Sequence, residues 1–117
     1  MSLSDLEKII NKAFDNKQSI NEKSDNEILS AINQTIELTD KGDLRVAEKK
    51  NKIWTVNQWV KKAILLSFRT KPMTISKGPY TTWYDKVPGK SVTWSESDWK
   101  KAGYRHVPNG VVRKGSF

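Results

Sequence analysis

Gln58-Trp59-Val60-Lys61-Lys62-Ala63-Ile64-Leu65-Leu66-Ser67-Phe68-Arg69 is the stretch whose reading decides the fold. Trp59, Val60, Ala63, Ile64, Leu65, Leu66 and Phe68 cover most sides of a helical projection, and Lys61, Lys62 and Ser67 mark the exposed edge. A helix that is apolar nearly all round is a buried one. This segment is therefore predicted to be a helix at the centre of the core, capped by Asn57, with Leu65 and Phe68 inside.

On its N-terminal side, Leu44–Lys49 and Ile53–Val56 alternate with period two around the polar turn Lys50-Asn51-Lys52, which predicts a β-hairpin. Val46, Trp54 and Val56 are its expected buried residues. Further upstream, Ser4-Asp5-Leu6-Glu7 and Ser24-Asp25-Asn26-Glu27 each have the form of a capping box, which satisfies two orphan backbone N–H groups at a helix start. Leu6, Ile9, Ile10, Ala13 and Phe14 place one apolar stripe on the first helix. Ile28, Leu29, Ala31, Ile32, Ile36 and Leu38 mark a second, and Gly42 stands where a left-handed stop is expected.

On the C-terminal side the character changes after Pro72. Gly78-Pro79, Val87-Pro88-Gly89 and Pro108-Asn109-Gly110 punctuate the chain into loops and short extended pieces. Ser95-Glu96-Ser97-Asp98 caps a short helix near 95–102, and Gly103 stops it. Val111–Phe117 reads as extended. The fold class expected is mainly α, in the α+β sense: a small helical domain with a hairpin between its second and third helices.

The 117 residues make one domain at most. The absence of Cys excludes a disulfide scaffold and a thiol nucleophile, and a single His excludes a multi-His metal centre. No apolar run is long enough to span a membrane, and no basic-then-apolar signal segment opens the chain, so the cytoplasm is the expected compartment. The net charge of +8 is uneven. Residues 1–50 carry 8 basic and 10 acidic side chains, whereas 51–117 carry 13 basic and 3 acidic. Such a field suits an anionic partner: nucleic acid, a phosphorylated cofactor or a carboxylate substrate.

No nucleophile–base–acid set is apparent, and His106 has no Ser or Cys partner motif. Neither Gly-rich phosphate-binding pattern occurs. Trp54 and Trp59 fall on segments assigned to the core, which leaves Trp83, Trp94 and Trp99 less clearly buried. Arg45, Arg69, Arg105 and Arg113 are few among many lysines, and an arginine fork suits a planar carboxylate. Arg105 lies between the stop at Gly103 and the turn at Pro108, an extended position able to project into a cleft.

Several words of the sequence, in order, resemble one family. They are Leu44-Arg45-Val46-Ala47-Glu48-Lys49; Trp54 to Gln58-Trp59; Lys61 through Arg69; Tyr84-Asp85-Lys86-Val87-Pro88; Gly103-Tyr104-Arg105 with Val107-Pro108; and Val112 through Phe117. Together they resemble the N-terminal domain of tetrahydrodipicolinate N-succinyltransferase over essentially the whole chain.

The resemblance implies an acyl transfer, from succinyl-CoA as co-substrate to the amino group of L-2-amino-6-oxopimelate, in diaminopimelate and lysine synthesis. It implies a homotrimer whose active sites lie between left-handed β-helices of hexapeptide repeats, with CoA and the catalytic acids on those β-helices. Residues 1–110 would then be the N-terminal helical domain and 111–117 the lead-in to a β-helix that these 117 residues do not contain. No catalytic residue, metal ligand or permanently bound cofactor is expected within them, and the segment alone is expected to be inactive. The arginine of the family's Gly-x-Arg-x-Val-Pro stretch is Arg105, implied to bind the dicarboxylate substrate. The reading from another class is a small basic nucleic-acid-binding or interaction module without enzyme activity. Against it, the basic residues follow no nucleic-acid motif, so no specific nucleic acid is expected as a partner.

Overall fold

Three helices bury one another's apolar stripes, and the computed structural model describes this arrangement over residues 1–117. Helix α1 spans Leu3–Asp15, α2 spans Asn26–Lys41 and α3 spans Gln58–Ser67. Each packs on the other two. Leu6 and Ile10 from α1, Ala31 and Ile32 from α2, and Val60, Ala63 and Leu66 from α3 are completely shielded from solvent. Thr35 and Thr39 also face inward, and each hydroxyl donates to the carbonyl four residues back, at 2.8 and 2.7 Å. No polar side-chain atom is left buried without a partner.

Both expected N-caps shift. Ser2, not Ser4, caps α1: its Oγ accepts from the Asp5 N–H at 3.1 Å, and the Asp5 carboxylate accepts the Ser2 N–H at 3.2 Å. This earlier box meets the same need as Ser4-x-x-Glu7 and adds helical residues. At α2 the N-cap is Asp25, without a side-chain bond. The Ser24 hydroxyl, expected to serve the helix, instead accepts from Asn21 N–H at 2.9 Å in the preceding turn. The stop at Gly42 is as expected, with φ +81° and the Asp43 and Leu44 amides both returning to Leu38 O.

Helix α3 corrects a stronger expectation. It buries Trp59, Val60, Ala63, Leu66 and Ser67, but Leu65 is 46% exposed and Phe68 37%. Only two helices cover it, so its third side faces out. It also ends at Ser67, short of Arg69.

The hairpin follows α2, with β1 at Ala47–Lys50 and β2 at Ile53–Val56 in the register Ala47↔Val56 and Lys50↔Ile53. Asn51 and Lys52 both have positive φ, +49° and +67°, which gives the two-residue turn whose twist matches antiparallel strands. Its expected buried face is not buried: Trp54 is 69% exposed and Val56 49%, with Val46 half-buried. Asn57 explains the hairpin's attachment. It stands at the N-cap of α3 as expected, but its side chain makes no bond to the helix; its Nδ2 instead donates to Arg45 O at 2.7 Å and to Glu48 Oε1 at 2.9 Å.

A second hairpin forms where only loops and short extended pieces were expected. Strands β3, Thr74–Lys77, and β4, Thr82–Asp85, pair Ile75 with Tyr84 and Ser76 with Trp83. The Trp83 ring sits over Gly78, where a Cβ would come within 2.6 Å of it. Helix α4, Glu96–Ala102, has the expected Ser95/Asp98 box and the left-handed Gly103. The hairpins and α4 spread beside the three-helix core. The result is a flat body of 42 × 40 × 21 Å with a radius of gyration of 15.9 Å. A compact chain of this length would have about 13 Å. No helix is long and apolar enough to cross a membrane.

Candidate functional site

Gly103, in the left-handed conformation, turns the chain out of α4 into Tyr104–Val107, a run without regular secondary structure. Pro108-Asn109 then forms a tight turn, with Asn109 at φ +72° and Gly110 N–H donating to Val107 O at 3.0 Å. The Tyr104 and His106 rings both meet Trp99, at centroid distances of 5.6 and 6.0 Å. Trp94 closes the group edge-on, 4.9 Å from Trp99 and 6.2 Å from Tyr104. The His106 ring also lies over Gly110, leaving no room there for a Cβ. Arg105 is thus held between two anchored rings, and its own side chain is exposed.

The four arginines sort by partner. The Arg45 guanidinium lies 4.8 Å from the centre of the Phe117 ring. Arg69 donates to Ile20 O and Gln18 Oε1. Arg113 pairs with Asp85. Arg105 has neither an ion pair nor a ring beneath it. A guanidinium free on a fixed backbone can present two parallel N–H groups to a carboxylate.

Beside this run lies an open cleft of about 490 Å³, lined by Asp40, Lys90 and Phe117 together with Trp94, Lys101 and Tyr104; Arg105, expected to project into a cleft, is not among the residues that line it. At its floor Lys90 Nζ donates three times: to Asp40 Oδ1 at 2.9 Å, Asp40 O at 2.7 Å and Ser116 O at 2.6 Å. Asp40 Oδ1 also accepts the Gly115 N–H at 2.8 Å. Burial acts to raise the Asp40 pKa, but the Gly115 N–H and the Lys90 ammonium outweigh it and hold the carboxyl below its ordinary range. Of residues 111–117, expected to be extended, only Arg113 makes a β-bridge, to Gly89, before the chain turns at Lys114-Gly115 onto α2. Lys114 there pairs with Glu37 at 2.7 Å. Nothing in the sequence signalled this knot, whose members lie 50 and 75 residues apart. The ring cluster had a weak signal in the spacing of Trp94, Trp99 and Tyr104.

No group of three or more His, Cys, Asp or Glu side chains is placed to hold a metal ion. Of the five tryptophans, Trp59 is in the core, Trp94 and Trp99 pack on each other, and Trp54 and Trp83 stand exposed on separate hairpins.

Residues 5–70 match the family described as tetrahydrodipicolinate N-succinyltransferase, N-terminal. The chain belongs to that family. It is 60% identical to a 2,3,4,5-tetrahydropyridine-2,6-dicarboxylate N-succinyltransferase of Pelagibacter ubique, over 98% of this chain and 43% of that protein. A protein of the same name from Bartonella tribocorum is 50% identical over 98% of this chain and 41% of its own length. One from Rhodopseudomonas palustris is 49% identical over all of this chain and 43% of its own. The chain therefore spans about two fifths of the length of these relatives and corresponds to their N-terminal part.

Proposed function

We propose that this chain is the N-terminal domain of a cytoplasmic, homotrimeric N-succinyltransferase, and that Arg105 binds one carboxylate of its amino-dicarboxylate acceptor. The acceptor is L-2-amino-6-oxopimelate, the open form of tetrahydrodipicolinate, and the donor is succinyl-CoA. The acceptor nitrogen attacks the thioester carbonyl. A C–N bond forms, the C–S bond breaks, and the CoA thiol leaves as the nitrogen gives up a proton. Residues 1–110 form the helical domain and 111–117 lead into the β-helix, which carries the catalytic acids and the CoA surface.

The names of the relatives support succinyl transfer. The single observation that supports Arg105 is that Arg45, Arg69 and Arg113 already have partners within the chain, while Arg105 has none and sits between two rings anchored on Trp99. Holding the acceptor by a two-point grip orients its amine, and orientation lowers the barrier without any bond to the reacting atoms.

The test is Arg105→Lys in the full-length enzyme bearing this domain. Lysine keeps the charge and loses the planar fork. The KM for the acceptor should rise and kcat/KM fall by about ten- to hundredfold, with the KM for succinyl-CoA unchanged. Arg113→Lys is the control, since its partner is Asp85; its acceptor KM should stay put. Equal effects of the two substitutions would overturn the role of Arg105. The 117-residue chain alone should not turn over succinyl-CoA, and turnover above a buffer control would overturn the placement of the catalytic acids elsewhere.

A further inference from the structure

We propose that Asp40 and Lys90 are positioning residues that clamp the segment after Arg105 onto helix α2 and so set where the Arg105-bearing run sits relative to that helix; this rests on the reading of Arg105 given above. The Lys90 ammonium spends all three of its N–H groups on oxygens of Asp40 and Ser116. Asp40 Oδ1 in turn takes the Gly115 N–H. Both side chains are largely shielded, at 14% and 16% exposure, where solvent weakens an ion pair least. Gly115 adopts φ +102° to make the turn. Lys90 N–H donates to Val112 O at 2.8 Å and Lys114 N–H to Pro88 O at 2.9 Å, so the same loop also grips the segment through its backbone.

The run from Tyr104 to Phe117 is therefore fastened at two ends. Its start is held by the Tyr104 and His106 rings on Trp99, and its finish by the clamp on α2. Tyr104 and the clamp residues line the same cleft. With the clamp open, the rings still hold the start of the run on Trp99, but its far end loses the bonds that set the place of Arg105 relative to α2. A misplacement of about 1 Å in a positioning group is enough to cost on the order of a hundredfold in rate.

Lys90→Met removes the three bonds and keeps the aliphatic stem. In the 117-residue chain, trypsin should then release Gly115-Ser116-Phe117 by cutting after Lys114 at least about tenfold faster than in the parent chain, because a protease reads the population of the locally open form. The helical circular dichroism should be unchanged, since the core of α1, α2 and α3 does not include Lys90. In the full-length enzyme, Lys90→Met should raise the acceptor KM and leave that of succinyl-CoA unchanged. In an Arg105→Lys background it should add little, because residues acting through one another are not additive. Unchanged cutting after Lys114, with Arg105→Lys still impaired, overturns the clamp alone. Faster cutting with an unchanged acceptor KM, or with additive losses, overturns the positioning role. A silent Arg105→Lys overturns the underlying reading and the positioning role with it.

Discussion

The ring of Phe117 rests on Gly42, so close that a Cβ built on that glycine would stand 2.7 Å from the ring carbons Cε1 and Cζ. Gly42 is also the residue that stops α2, at φ +81°. Arg45, three residues on, stacks its guanidinium over the same ring. The helix stop and the last aromatic residue thus form one contact, although 75 positions separate them in the chain.

Gly42→Ala should be costly for two separable reasons. The left-handed backbone disfavours a Cβ by about 1–2 kcal/mol, and the added methyl must also displace the Phe117 ring. Urea midpoints should show the larger loss in the parent chain. In a Phe117→Ala background only the backbone strain should remain. The same loss in both backgrounds would mean that the ring does not sit on Gly42.

Neighbouring leucines of α3 should differ sharply. Leu66 is fully buried in the three-helix core, and Leu66→Ala should cost about 2–5 kcal/mol. Leu65 is 46% exposed, and Leu65→Ala should stay within about 1 kcal/mol. Similar losses from the two, at unchanged denaturant slope, would restore the picture of a helix buried on all sides.

Acid should destabilise the fold through carboxylates that the fold keeps ionised. Asp5 is lowered by the Ser2 hydroxyl and amide, Glu48 by Asn57 and Lys50, Asp85 by Arg113, and Asp98 by the Ser95 amide and hydroxyl. Asp40 is lowered against its own burial by Gly115 and Lys90. A carboxyl depressed in the folded state binds its proton more readily when unfolded. Its contribution is therefore complete above the unfolded value near 4 and is lost as pH falls through the folded value. Denaturant midpoints should fall steadily below about pH 4, and Asp40→Asn should make that fall shallower. A midpoint flat across this range would contradict the ion pairs and caps described.

Much of the local structure was legible in the sequence. The apolar stripe from Leu6 to Phe14, the stop at Gly42, the box at Ser95 and Asp98 and the turn around Asn51 all depend on neighbours within about one helical turn, and all four appear. The register of a cap was less legible. Two boxes overlap at the start of α1, and at α2 the Ser24 hydroxyl had a competing use in the preceding turn. The second hairpin was missed because Thr74–Lys77 and Thr82–Asp85 lie among Pro and Gly punctuation that reads as loop.

The sequence alone determined the four helices and the first hairpin and, through ordered words from Leu44 to Phe117, pointed to the family. Periodicity and caps are local, so one chain read in order contains them. Only the tertiary structure decided which faces are covered. Trp54, Val56 and Leu65 look like core residues by pattern and are exposed, because burial requires an opposing element that no local signal supplies. It likewise decided the partners of the arginines and the Asp40–Lys90–Gly115 knot, since a charge finds its partner across space. That is why Arg113 and Arg105, alike in sequence, separate into one paired with Asp85 and one left free.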